Sequence, residues 1–408
     1  MCKFLLSICL SVILLSSCNK ANEHSWPVLE IKYALNDGKD ADLSKYASGI
    51  KYIPLESSQE SLLCGYPSMC YDKGRLYFWD YSLNGCNDIA VFDTCGKFIK
   101  RIGKLGRGPG EYESLWRVTL EDDKDATNIC IAGLQNAVIY NSCGDAVGGF
   151  SFNCIKEKTG NGFIMNGGFL SYIGDGKYCL LASSASKGNA SKQEMLFILD
   201  SAGNILSERA IGEEIVKKKK FKGISITSCL GSYIYIAEDK IFQHTPLRDT
   251  LFAIDKVTGE KNIKVLFTFD SKPFGTIENT DYNIGIPLES EQFILHNFSF
   301  PTADFPALYK KNKVVPEKAS AWLVYDKQDK TYTALKYDPS FTLEGFKNDL
   351  DGGAPFLPSV VKDGKMYQLV NAIDFIEMAE KSTSARMKEV AAQLTEDSNP
   401  VVVEVTLK

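Results

Sequence analysis

Residues 89–112 read Ile-Ala-Val-Phe-Asp-Thr-Cys-Gly-Lys-Phe-Ile-Lys-Arg-Ile-Gly-Lys-Leu-Gly-Arg-Gly-Pro-Gly-Glu-Tyr. The apolar run Ile89–Phe92 meets the tight turn Asp93–Lys97, and a second run, Phe98–Ile102, leaves it. Two β-favouring runs joined by a short turn with Asp at its start and Gly near its end predict a hairpin. Weaker copies recur at Val138–Asp145, Ile198–Asn204, Ala253–Gly259 and Val324–Lys330. Repetition of one supersecondary unit along the whole chain points to an array of β-units, not to unrelated domains.

A second recurrence sets the size of the unit. Short apolar runs follow a Gly or polar turn at Gly74–Trp79, Thr127–Ala132, Gly176–Leu181, Gly231–Ile236, Glu291–His296 and Gly364–Leu369. Their spacing is that of propeller blades, each a small four-stranded sheet. We expect these six runs to be strand B of each blade, counted from centre to rim, with the Asp hairpins joining strands C and D. The last unit lacks that hairpin. Instead Asp374–Leu394 carries an apolar stripe (Phe375, Met378, Ala379, Met387, Val390, Ala391, Leu394) at helical spacing. Asn399-Pro400 breaks it and Val401–Leu407 resumes as a strand. The missing outer strand is expected from Ile50–Leu55, which would close the ring and remove an open sheet edge. The fold class is therefore all-β: a six-bladed β-propeller over residues 28–408, with a C-terminal helical insertion in its last blade.

Composition narrows the partners. The 408-residue chain is 44% hydrophobic, enough for a large core, and has a formal net charge of −5. It shows no basic stripe with interleaved aromatics, so nucleic acid is not an expected partner. Lys217–Lys220 reads as a solvated loop. At the N-terminus, Lys3 precedes the apolar stretch Phe4–Leu15, too short to span a bilayer, and Leu15-Ser16-Ser17-Cys18 follows. This arrangement resembles the lipobox of bacterial lipoproteins. The resemblance implies a signal peptide over residues 1–17, lipidation of Cys18 and a tether over 18–27. It also implies a membrane-anchored protein of the cell envelope, in the outer membrane. Several acyl chains give stable anchoring where one would be marginal.

With Cys2, Cys9 and Cys18 set aside, nine of the 12 cysteines remain, an odd number that cannot all pair. Cys130, Cys179 and Cys229 sit in strand-like runs and are expected to act as small core hydrophobes. Cys64 with Cys70, or Cys86 with Cys95, could pair in an oxidising envelope. No C-x-x-C occurs and the chain has only three His, so a Cys/His zinc site lacks its usual spacing.

Phe92-Asp93, Gly96-Lys97-Phe98-Ile99 and the loop Gly106–Tyr112 resemble the six-bladed β-propeller lipoproteins of Bacteroides-type bacteria, related to NHL-type propellers. Tyr52–Glu56, Asp249–Phe252 and Asn399–Val401 are similar to that family's opening, fourth-blade and closing strands. Departures are Asn141 in place of Asp in the second hairpin and the missing Gly in the fifth. The resemblance implies fold and location and supplies no catalytic residues, no cofactor and no metal ligands.

The Gly106–Tyr112 loop could form an anion nest from exposed N–H groups. Alternatively Glu111 satisfies those donors itself and Tyr112 packs. His244 and His296 lie in no hydrolase motif and are expected to be structural. The turn around Glu121–Asp125 lacks calcium-loop spacing and reads as solvated. Strand alternation places the A–B and C–D turns on one rim and the longer B–C and D–A connections on the other. Long loops commonly carry function. Ligand contacts are therefore expected from Arg107, Glu111, Tyr112, His244, Arg248, Phe298, Phe300 and Tyr309. The expected function is a monomeric, non-catalytic binding module for a glycan, peptide or partner protein. The alternative is a metal-assisted propeller lyase or lactonase.

Overall fold

The computed structural model describes residues 26–37, 39–65, 67–81, 86–122, 127–159, 170–183, 193–213, 215–221, 224–237, 240–273, 282–301 and 318–408. The signal segment, Cys18 and Tyr309 lie outside them. Six sheets of four or more strands follow one another along the chain, as a six-bladed β-propeller. From inner to outer strand, blade one is Ser68–Asp72, Arg75–Trp79, Ile89–Asp93 and Phe98–Ile102. Blade two is Arg117–Glu121, Asn128–Ala132, Asn136–Tyr140 and Ala146–Ser151. Blade three is Leu170–Gly174, Lys177–Ser183, Gln193–Asp200 and Ile205–Glu213. A separate hairpin, Ile215–Phe221 with Ile224–Leu230, precedes blade four, so Lys217–Lys220 lies in a strand and not in the loop expected.

Blade four corrects one expectation. Its strands are Tyr233–Ala237, Lys240–His244, Thr250–Ile254 and Lys261–Phe269. The run Gly231–Ile236 therefore leads into strand A, and strand B is Lys240–His244. Ladder register settles the order, because Ile241 pairs with both Ile236 and Ile254. Two short apolar runs in succession gave the sequence no means of ranking them. In blade five the inner strand is interrupted, as Asn283–Ile284 and Leu288–Glu289, and Phe293–Pro301, Lys318–Asp326 and Tyr332–Ala334 follow.

Blade six closes the ring as expected. Its strands are Val360–Lys362, Lys365–Val370, Val401–Leu407 and, from the other end of the chain, Ala47–Pro54. Its B–C connection holds two helices, not one: Ala372–Lys381 and Ala385–Ala391. They part at Ser382–Ser384, where the Ser384 hydroxyl accepts from the Met387 N–H at 3.1 Å and donates to Asp351 at 2.7 Å. A side-chain cap of this kind starts a new helix.

Why the B and C runs are continuously apolar follows from the packing. Six hydrophobic clusters lie among the described residues, one at each blade interface, so both faces of every blade are buried. Leu76 and Phe78 pack toward blade six while Tyr77 packs toward blade two. The C–D turns share one device. Asp93 Oδ1 accepts from the N–H groups of Cys95 and Lys97 at 2.8 and 2.9 Å. Asn141 does the same at 2.9 Å each, so the Asp-to-Asn departure leaves the turn geometry intact. In the fifth hairpin Lys330 takes the left-handed conformation, φ 58°, in place of glycine.

The segment before the closing strand forms a strap. Val28–Glu30 pairs in parallel with the outer strand of blade four, and helix Ile31–Asp37 packs into the interface between blades four and five. The Glu30 carboxylate accepts from Thr268 Oγ1, Asp270 N and Ser271 N at 2.9, 3.0 and 2.8 Å. The disulfide joins Cys64 to Cys86, with Cα atoms 5.6 Å apart, so neither expected pair forms. Cys70 is left as a half-buried thiol and Cys95 as an exposed one. Cys130 and Cys179 are buried in strands, as expected. No helix among the described residues is long and apolar enough to cross a membrane.

Candidate functional site

A propeller leaves the free edges of its six inner strands facing the axis. Here those edges enclose a cavity of about 880 Å³, with Cys70, Arg117, Ser171, Tyr235, Leu288 and Val361 contributed one from each blade. Residues of the A–B turns, among them Asp122, Gln292 and Asp363, also line it. Its mouth is therefore on the short-turn rim. The turns Lys73-Gly74, Asp175-Gly176 and Asp363-Gly364 each have two positive φ values, the tight primed geometry that keeps this rim low.

The mouth is charged and mostly self-paired. Lys362 of blade six forms an ion pair with Asp122 of blade two, reaching past blade one. Burial depresses the Lys362 ammonium, but the Asp122 carboxylate more than offsets it, so its pKa lies above the ordinary value. Lys73 Nζ donates to the Asp122 carbonyl at 2.8 Å. Lys256 Nζ donates to the Ile173 carbonyl at 2.9 Å. Glu289 is paired with Lys327 at 2.6 Å and Lys264 at 3.2 Å. Further in, Thr119 Oγ1 accepts from the Tyr172 N–H at 3.0 Å, tying the inner strands of blades two and three. Arg117, first residue of its strand and so on the side away from the mouth, has no hydrogen bond or ion pair to any described residue, and its Nε is shielded from solvent.

The residues expected on the opposite rim are not brought into one site. Glu111 pairs with Lys104 at 2.5 Å and accepts from Gly108 N at 2.8 Å, which together hold its carboxyl below the usual range. The glycine loop thus wraps its own anion, and a Cβ at Gly106 would lie 2.0 Å from Glu111 Oε2. Tyr112 is fully buried and its hydroxyl donates to the Asn87 carbonyl at 2.5 Å. His244 is buried against the Ile284 carbonyl, 3.0 Å away, and His296 against the Tyr332 hydroxyl, 2.6 Å away. Burial pushes both imidazoles down to about 4. Phe298 and Phe300 are fully buried between blades four and five. Arg107 and Arg248 are exposed. Among the described residues no three His, Cys, Asp or Glu side chains converge as metal ligands would. Sequence reasoning missed Arg117, Asp122, Lys256 and Lys362, whose convergence depends on ring order. The one available signal was an arginine opening the short strand Arg117–Glu121.

A family model described as "Domain of unknown function (DUF4934)" matches residues 27–406. Among solved structures, a Bacteroides fragilis protein described as exported is 16% identical. It aligns over 94% of this chain and 99% of its own, with a TM-score of 0.61. A member of the DUF4221 family from Bacteroides vulgatus is 12% identical over 89% and 97% of the two chains, with a TM-score of 0.50. At these identities the likeness is one of fold. No curated protein matches the chain.

Proposed function

This chain belongs to the DUF4934 family, and from that premise we propose that it is an exported, lipid-anchored binding module that holds a small polar ligand in its central channel. The observation that carries the reading is the 880 Å³ cavity, walled by all six inner strands. A cavity of that size with few convergent polar groups is the usual form of a ligand site. The lipobox-like sequence ending at Cys18 and the exported relative support envelope location. Anchoring through Cys18 would place the module at the outer membrane and leave the disc free to sample ligand.

The test is to screen the full chain against arrayed glycans and peptides, then repeat with Ile286→Trp. Ile286 lines the cavity yet is 44% exposed, so the larger ring narrows the channel without disturbing the core. Binding to a glycan or peptide that falls at least tenfold in the variant supports the channel. Binding that is indifferent to Ile286→Trp but lost on Arg107→Ala and Arg248→Ala moves the site to the opposite rim.

A further inference from the structure

We propose that the channel takes a ligand bearing a single carboxylate, and that Arg117 receives it. This rests on the reading of the channel as the ligand site. Arg117 lines the cavity with no described partner and with Nε shielded from water. Arg117 is half-buried, and a shielded guanidinium N–H normally finds an acceptor in the folded protein, because leaving it unsatisfied is costly. Of the lysines along the wall, Lys256 is engaged by the Ile173 carbonyl and Lys362 by Asp122. Arg117 has no carboxylate partner among the described residues. Its planar fork fits a carboxylate with two parallel hydrogen bonds.

The mouth restricts the anion further. Glu291 and Asp363 stand along it without an ion pair to a described residue, so a polyanion would meet repulsion before reaching Arg117. One charge passing inward, with a neutral body left against Tyr172, Ile173 and Tyr235, meets the least opposition. The arrangement therefore suits a small monocarboxylate whose remainder is uncharged and can lie on aromatic and aliphatic surface.

Calorimetric titration of the full chain with D-glucuronate and N-acetyl-L-alanine, beside neutral D-glucose and N-acetyl-L-alaninamide, tests this and separates a sugar from a peptide source. At least one acid should bind the parent tenfold or more tightly than its neutral counterpart. Arg117→Gln should lose that preference at least tenfold, while Arg117→Lys keeps part of it. Without ligand, Arg117→Gln should melt about 1–2 °C above the parent, since it removes an unpaired charge. That rise is a readout a merely structural arginine would not give. If neither acid binds the parent, if Arg117→Gln binds it equally well, or if that variant melts lower, the proposal is overturned. Should the neutral compounds bind as tightly as the acids and Ile286→Trp abolish both, the channel reading stands and the carboxylate does not. Should binding ignore Ile286→Trp altogether, the channel reading falls with it.

Discussion

Single side chains set the response of this propeller to pH and to crowding. The buried His244 and His296 have pKa values near 4, below the value of about 6.5 expected in the unfolded chain. The unfolded state then binds more protons, so their contribution is complete above pH 6.5 and is lost as pH falls toward 4. Glu344 acts in the opposite sense. Burial, partly offset by the Trp322 N–H at 2.7 Å, raises it to about 7. Its contribution is complete below about 4.5 and is lost as pH rises through 7. Glu344→Gln should therefore stabilise the protein by about 2 kcal/mol at pH 8 and by almost nothing at pH 4.5. Urea unfolding at the two pH values checks this, and equal effects at both would contradict it. Gly96 is the steric counterpart. It has φ +84°, and a Cβ there would meet the Pro54 carbonyl at 2.2 Å, so blade one and the closing strand touch through a missing side chain. Gly96→Ala should cost about 2–4 kcal/mol, read as a lower urea midpoint, whereas Gly74→Ala, with nothing within 4 Å, should cost less.

At the scale of elements, what was legible follows from burial. Strands B and C were readable because both faces of a blade pack on neighbours, which turns a strand into a continuous apolar run. The C–D turns were readable because an Asp or Asn side chain and a left-handed residue are local requirements. Outer strands such as Ala146–Ser151 are largely exposed and left no pattern. The strap was invisible for another reason: Val28–Glu30 pairs with a strand more than 200 residues away, and no local propensity encodes a partner. The channel escaped for the same reason, since its wall takes one edge from each blade. The apolar stripe of the insertion was right, yet the break at Ser382–Ser384 was hidden because the stripe resumes beyond it. Ser384→Ala should cost about 1–2 kcal/mol by removing the cap and leaving Asp351 short of a donor. Urea unfolding with an unchanged midpoint would show that the two helices need no cap.

For the molecule as a whole, the ring depends on a seam between its ends. Ala47–Pro54 covers Val401–Leu407, and a cluster including Ile53, Val402 and Phe92 joins the last blade to the first. Deleting residues 47–54 should abolish the single cooperative melting transition, and a truncated chain that melts like the parent would rule out closure by this strand. Membrane attachment has its own test: Cys18→Ala should move the protein from the membrane to the soluble fraction of lysed cells, and retention without detergent would argue against an acyl anchor. The strap connects these two matters. Tension applied through the N-terminus would load Val28–Glu30 and the Glu30 carboxylate first, because they lie upstream of the closing strand. Under such tension those contacts would serve as a mechanical fuse. Were the chain held at Cys18, as proposed, a tug there would peel the strap from blade four before any force reached the seam that keeps the ring shut.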